Sequence, residues 1–185
     1  MLVKKKYESL LIFIGLALII GSALGSVLAN NINKNLTVYL DTGLKDFFWQ
    51  RDNYLHENKI HFLASEFFKN SKIILFIWLS SFIPLGNFFV LIILFLKGIS
   101  YGFTASLITS SYKLKDYFMI MKYILPTNLI LLSIFIFTSR QSMKFSVANQ
   151  KKNVKHIKQY ILEHVFIFII SLLCIFLITF VNIYF

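Results

Sequence analysis

Five stretches of this chain carry no charged side chain: residues 9–33, 73–96, 98–112, 123–139 and 165–185, together more than half of its 185 residues. A helix needs about 20 apolar residues to cross a hydrocarbon core of roughly 30 Å, so these runs predict four to six crossings. A soluble domain of this size could not bury them, with 57% of residues hydrophobic and only 15% charged. None of the runs alternates apolar and polar positions as a barrel strand must, and only helices then satisfy their own backbone in lipid. The expected fold class is all-α, a polytopic transmembrane helical bundle forming a single integral membrane domain over residues 1–185.

A net charge of +11 would suggest nucleic acid in a soluble protein. Here the cations gather beside apolar segments, where the cytoplasmic surface of a lipid bilayer accounts for them. No nucleic-acid partner is therefore expected. The single cysteine, Cys174, lies in the last apolar run, which leaves no disulfide or thiolate cluster within one chain and reads as a packing residue.

Orientation follows from charge. Lys4, Lys5 and Lys6 precede an apolar run from Leu10 to Ala29. Val27 and Ala29 offer a small-residue cleavage site, but the run exceeds the short core of a signal peptide, so a retained first span is expected. Residues 30–70 form an extracytoplasmic segment holding Asp41, Asp46, Asp52, Glu57 and Glu66. Residues 139–160 carry Arg140, Lys144, Lys151, Lys152, Lys155 and Lys158 with no acid, which reads as a basic cytoplasmic segment. A chain outside at Lys72 and inside at Arg140 crosses an odd number of times between them. The intervening residues make about 100 Å of helix, enough for three crossings. The turn signal Pro84-Leu85-Gly86-Asn87 then divides residues 73–96 into a tight helical hairpin. The expected spans are Leu10 to Ala29, Ser71 to Ile83, Asn87 to Ser110, Tyr117 to Thr138 and Ile161 to Tyr184, with the amino terminus cytoplasmic and the carboxyl terminus extracytoplasmic.

Chemistry inside a membrane needs polar groups at depth. Of the lysines within these spans, Lys122 stands near a helix end and reaches the interface by snorkelling. Lys97 lies about 15 Å along its helix, near the midplane, where an ammonium needs a partner. Asn128 falls at nearly the same depth on the next helix, and Thr104 is one heptad beyond Lys97. The three are expected to form a structural polar clamp, or else the polar site of a small transporter.

His56, Glu57 and His61 invite comparison with the zinc motif HExxH, but spacing of five instead of four turns the imidazoles to different faces. His156 and His164 flank the basic stretch, where a solvated or interfacial role suffices. No glycine-rich phosphate loop and no glycine-flanked serine nucleophile is present, so no enzyme activity, cofactor or metal is expected.

Packing signals are richer. Ala17, Gly21, Gly25 and Ala29 repeat at every fourth position, as do Gly98, Gly102 and Ser106. Such small-residue faces let helices approach closely, within the bundle or against another chain, including a second copy. In the outer segment, Leu40, Leu44, Phe47 and Phe48, then Ile60, Leu63 and Phe67, show helical spacing. Both read as short amphipathic helices between the first and second spans, lying on the outer leaflet or presenting an aromatic groove.

The stretch Leu94-Phe95-Leu96-Lys97-Gly98-Ile99-Ser100-Tyr101-Gly102-Phe103-Thr104, followed by Ile124-Leu125-Pro126-Thr127-Asn128-Leu129, resembles the stage II sporulation protein M family. The resemblance is clearest from about Glu66 to Arg140. It implies a five-span, non-enzymatic membrane scaffold that gathers two peptidoglycan hydrolases, stage II proteins D and P, at the septal membrane during forespore engulfment. A small transporter or permease subunit using Lys97 and Asn128 is the competing expectation.

Overall fold

The computed structural model describes residues 2–32, 39–40, 42–43, 59–83, 85–111, 114–150 and 154–184. Among these residues five long helices form and no strand does: α1 (Leu2–Asn30), α2 (Lys59–Ser80), α3 (Gly86–Ser111), α4 (Leu114–Gln150) and α5 (Val154–Tyr184). Of the expected outer amphipathic face, Leu44, Phe47 and Phe48 lie outside the described residues, as do His56 and Glu57.

The direction of each helix can be read from its contacts. Residues 18–30 of α1 meet residues 95–106 of α3 with numbers rising together, so these two helices run parallel. One return must separate them, and α2 supplies it. The α2–α3 reversal falls at the expected hairpin, with α2 ending at Ser80 and α3 beginning at Gly86. Ser81 contacts His164 and Phe67 contacts Phe176, so α2 and α5 are antiparallel. Thr138 meets Ser171 and Phe145 meets His164, so α4 and α5 are antiparallel too.

The bundle has an ordinary apolar interior and an apolar exterior. Leu10, Ile14, Ile74, Ile77, Val90, Leu94, Leu131, Phe135, Met143 and Ile175 form one buried cluster drawn from all five helices. Outside it, α1 exposes Ile12, Phe13, Ile19 and Leu28, and α5 exposes Leu162, Phe166, Leu173 and Leu177. Faces of this kind require lipid or protein against them. Leu10–Asn30, Gly86–Ser110 and Ile161–Val181 are each long and apolar enough to cross a membrane. The chain is a multi-pass helical membrane protein.

Two boundaries differ most from expectation, for one reason. The run Ile60, Leu63, Phe67 is not a separate surface helix: it forms the first turns of α2, and the Phe67 ring packs edge-on against Phe176 of α5 at 5.9 Å. Likewise α4 continues past Thr138 to Gln150, through most of what charge alone marked as the start of a basic segment. Ser139, Ser142, Met143, Phe145 and Ser146 are buried there. Charge content ends a span on paper, but a helix continues while one face still has neighbours to pack against.

Candidate functional site

Among the described residues, the closest helix contact is between α1 and α3. Gly21, Gly25, Gly98 and Gly102 are all buried in it, with Ala29, while Ala17 is half-buried. A methyl group added at Gly98 would stand 2.6 Å from the Leu18 carbonyl oxygen and 3.2 Å from the Gly21 Cα. At Gly25 it would stand 2.8 Å from the Phe103 backbone nitrogen. At Gly102 it would meet the Ser22 carbonyl group, 2.6 Å from its carbon. The two small-residue faces thus lie against each other, backbone on backbone, as small-xxx-small helices pack in lipid. Hydrogen bonds close the far end of the same seam. The Ser26 hydroxyl donates to the Gly102 carbonyl at 3.3 Å, and the Ser106 hydroxyl donates to Asn30 Oδ1 at 2.9 Å.

A second polar feature sits at the α2–α3 turn. The Ser81 hydroxyl donates to the Trp78 carbonyl at 2.6 Å and lies 2.7 Å from His164 Nε2. With its proton engaged by the carbonyl, Ser81 accepts from His164 Nε2–H, a tautomer assigned from this network. The imidazole lies between two aromatic planes, with centroids 4.6 Å from Phe145 and 5.6 Å from Trp78, and the Phe82 ring stands edge-on at 5.9 Å. His164 is only 2% exposed. This corrects the interfacial role expected for it, because α2, α4 and α5 converge on the imidazole from three sides.

A serine hydroxyl beside an imidazole invites a nucleophilic reading. Here the hydroxyl is wholly buried and its proton is directed at a main-chain carbonyl, so the geometry is that of a pin fixing the turn to α4 and α5. The turn backbone is satisfied internally as well: the amides of Ser81, Phe82, Ile83, Gly86 and Phe88 donate to carbonyls three residues back. Irregular backbone at a membrane boundary needs such closure. Further along α5, the hydroxyls of Thr138 and Ser171 meet at 2.9 Å, each also within reach of a carbonyl in its own helix, so that one donates to the other hydroxyl while the second donates to its carbonyl. Thr138→Val is expected to lower stability in detergent by only about 0.6 kcal/mol, because Ser171 retains its own helical carbonyl; a loss several times larger in thermal unfolding would show that the pair does more than link two helices.

Lys97 lies between α2 and α4. Its Nζ stands 5.5 Å from the Phe135 ring centroid and 5.7 Å from that of Tyr101, within the range of cation–π attraction. Glu66 and Lys69 of α2 act on it electrostatically. Asn128 and Thr104 are each half-buried, and no hydrogen bond among the described residues joins them to Lys97. Instead Lys97 stands level with Phe135, seven residues and about 10 Å further along α4 than Asn128. Counting equal depths took Tyr117 as the outer end of the span, but the packing of Phe135 in the core, and not the helix end, sets the register.

The Lys97-Gly98 and Gly102 positions that carry the family resemblance therefore stand on one helix, glycines toward α1 and lysine toward α2 and α4. Compared with known families, the chain matches the model described as Stage II sporulation protein M over residues 10–184. It belongs to that family. The match takes in α1 from Leu10 onward and the other four helices, with the α1–α3 seam and the Ser81–His164 pin, and marks the chain as a sporulation-related membrane protein. No curated protein and no solved structure gives a significant match.

His164 is the residue that sequence reasoning missed. The signal was available in principle: it stands at the start of an otherwise uncharged run, ten residues into α5. What identified it as buried was the aromatic pair Trp78 and Phe145, which come from other helices. Lys122 and Pro126 lie on the α4 backbone, which continues as a helix through both. Leu63 is half-buried on α2, and Leu40 is half-buried within the short described segment before it.

Proposed function

We propose that this protein is a membrane scaffold of the cell-wall remodelling machinery, recruiting peptidoglycan hydrolases to the septal membrane during forespore engulfment. The observation that carries the reading is the family match across nearly the whole chain. Its geometry supports the same reading, since α1 is keyed to α3 by backbone contact and the α2–α3 turn is pinned by Ser81 and His164, which suits a fixed platform. On this reading the chain is not an enzyme; its partners, hydrolases of the stage II D and P type, cut the wall. The amino terminus is cytoplasmic, from Lys4, Lys5 and Lys6, and the carboxyl terminus extracytoplasmic.

The test is affinity purification of tagged protein from detergent-solubilised sporulating cells. Extracytoplasmic wall hydrolases are expected among the recovered proteins, and their recovery should fall when α1 is unseated by Gly21→Leu although the protein still inserts. Recovery of an ATPase or a solute-binding protein without any hydrolase would overturn the scaffold in favour of transport.

A further inference from the structure

The described bundle leaves charge at membrane depth. From Gly86 to Ser106, where the apolar part of α1 also ends, α3 is about 30 Å long, the thickness of a hydrocarbon core. Counted from the α2–α3 turn, Lys97 stands about 16 Å deep on α3, and on α2 Lys72 stands at about 12 Å, Lys69 at about 16 Å and Glu66 at about 21 Å. Among the described residues, four charged side chains therefore occupy the middle of the slab.

Their surroundings differ. Lys97 is half-buried over the Phe135 and Tyr101 rings. Lys69 is 64% exposed at its side chain and holds Glu66 through one 3.4 Å contact. Lys72 is exposed as well, on an α2 face that otherwise shows Phe68, Leu75, Phe76 and Leu79. The rest of that face suits a lipid or protein neighbour. Two ammonium groups in it do not suit lipid, because charges at this depth pair with other groups or face water. A lysine at mid-depth is also further from either surface than one near a helix end, so snorkelling relieves it less.

The sign of the surplus selects the neighbour. Three lysines stand against Glu66, the one acid among the described residues at this level. A second copy of the chain presenting the same face would bring the same surplus of lysines and repel. A carboxylate would neutralise it, and between Lys69 and Lys72, one helical turn apart, it would meet both. The geometry points to the Phe68, Lys69, Lys72 and Phe76 face of α2 as a docking site for a membrane-spanning helix of another protein that carries a carboxylate in its middle third. This deepens the scaffold reading by naming the chemistry of a membrane-embedded partner.

The experiment uses the full chain in lipid vesicles, with energy transfer to synthetic Leu-Ala transmembrane helices whose central residue is Leu, Asn, Asp or Lys, at alkaline pH. The Asp helix is expected to associate on the order of tenfold more tightly than the Asn helix. Lys69→Leu with Lys72→Leu should remove that preference, and Lys69→Glu with Lys72→Glu should transfer it to the Lys helix. All four changes are at exposed positions, and the reversed preference shows that the variant is folded. Equal binding of the Asp and Asn helices, an Asp preference that survives the double leucine change, or self-association of the chain lost with that change would each overturn the proposal. None of these results bears on hydrolase recovery, whose test does not involve Lys69 or Lys72.

Discussion

Gly102→Ala is expected to unseat α1 from α3. The added methyl would meet the Ser22 carbonyl carbon at 2.6 Å and the Ser22 Cα at 2.7 Å, and everything in its way is backbone. No side chain can rotate aside, so the helices must separate. Overpacking of this kind costs about 1–3 kcal/mol and sometimes more, and here separation also removes the Ser26 and Ser106 hydrogen bonds. Gly25→Ala, facing the Phe103 nitrogen at 2.8 Å and the Ile99 carbonyl carbon at 2.9 Å, should behave alike. Gly15 provides the control, on the same helix with nothing within 4 Å of an added methyl. Gly15→Ala should be neutral or stabilising by up to about 1 kcal/mol, since alanine favours the helix. Thermal unfolding of the three variants in detergent checks this, and a Gly102→Ala protein as stable as Gly15→Ala would mean that α1 does not sit on α3 at this register.

The second large effect is expected at His164. His164→Ala would leave a cavity between Phe145 and Trp78 and deprive the buried Ser81 hydroxyl of its donor. Together these should cost about 2–4 kcal/mol. Ser81→Ala should cost less, about 1 kcal/mol, because it removes the hydrogen bond and leaves the ring stack. The double variant separates the two contributions. If the serine and histidine act as one pin, the combined loss falls short of the sum of the single losses by about 1 kcal/mol. Additive losses would show that the ring stack alone holds the turn.

Much of the architecture was legible because lipid imposes a strict rule on sequence. Charge-free runs marked the apolar lengths of α1, α3 and α5, and the Pro84-Leu85-Gly86-Asn87 signal located the reversal between α2 and α3 to within a few residues. The four-residue spacing of Gly21 and Gly25, and of Gly98 and Gly102, marked both sides of one seam. That these faces would meet each other and not another chain was left open, since a small-residue stripe states that something comes close without stating what. The start of α2 and the end of α4 were hidden by their charges. At these ends Phe67, or Met143 and Phe145 with buried serines beside them, packs against neighbouring helices although the segments carry charge.

By itself, then, the sequence determined the solvent: a helical bundle for a bilayer, its reversal point, and the faces where helices could approach. These follow from composition and period, because every residue in hydrocarbon meets the same demand to hide its polar atoms. The tertiary structure alone decided the neighbours. It placed Lys97 over Phe135 and away from Asn128, enclosed His164 between Trp78 and Phe145, and left Lys69 and Lys72 facing outward at mid-depth. A helix states its own rotation by its pattern, but the axial register of one helix against the next is set by the side chains that interlock between them, and those come from distant parts of the chain.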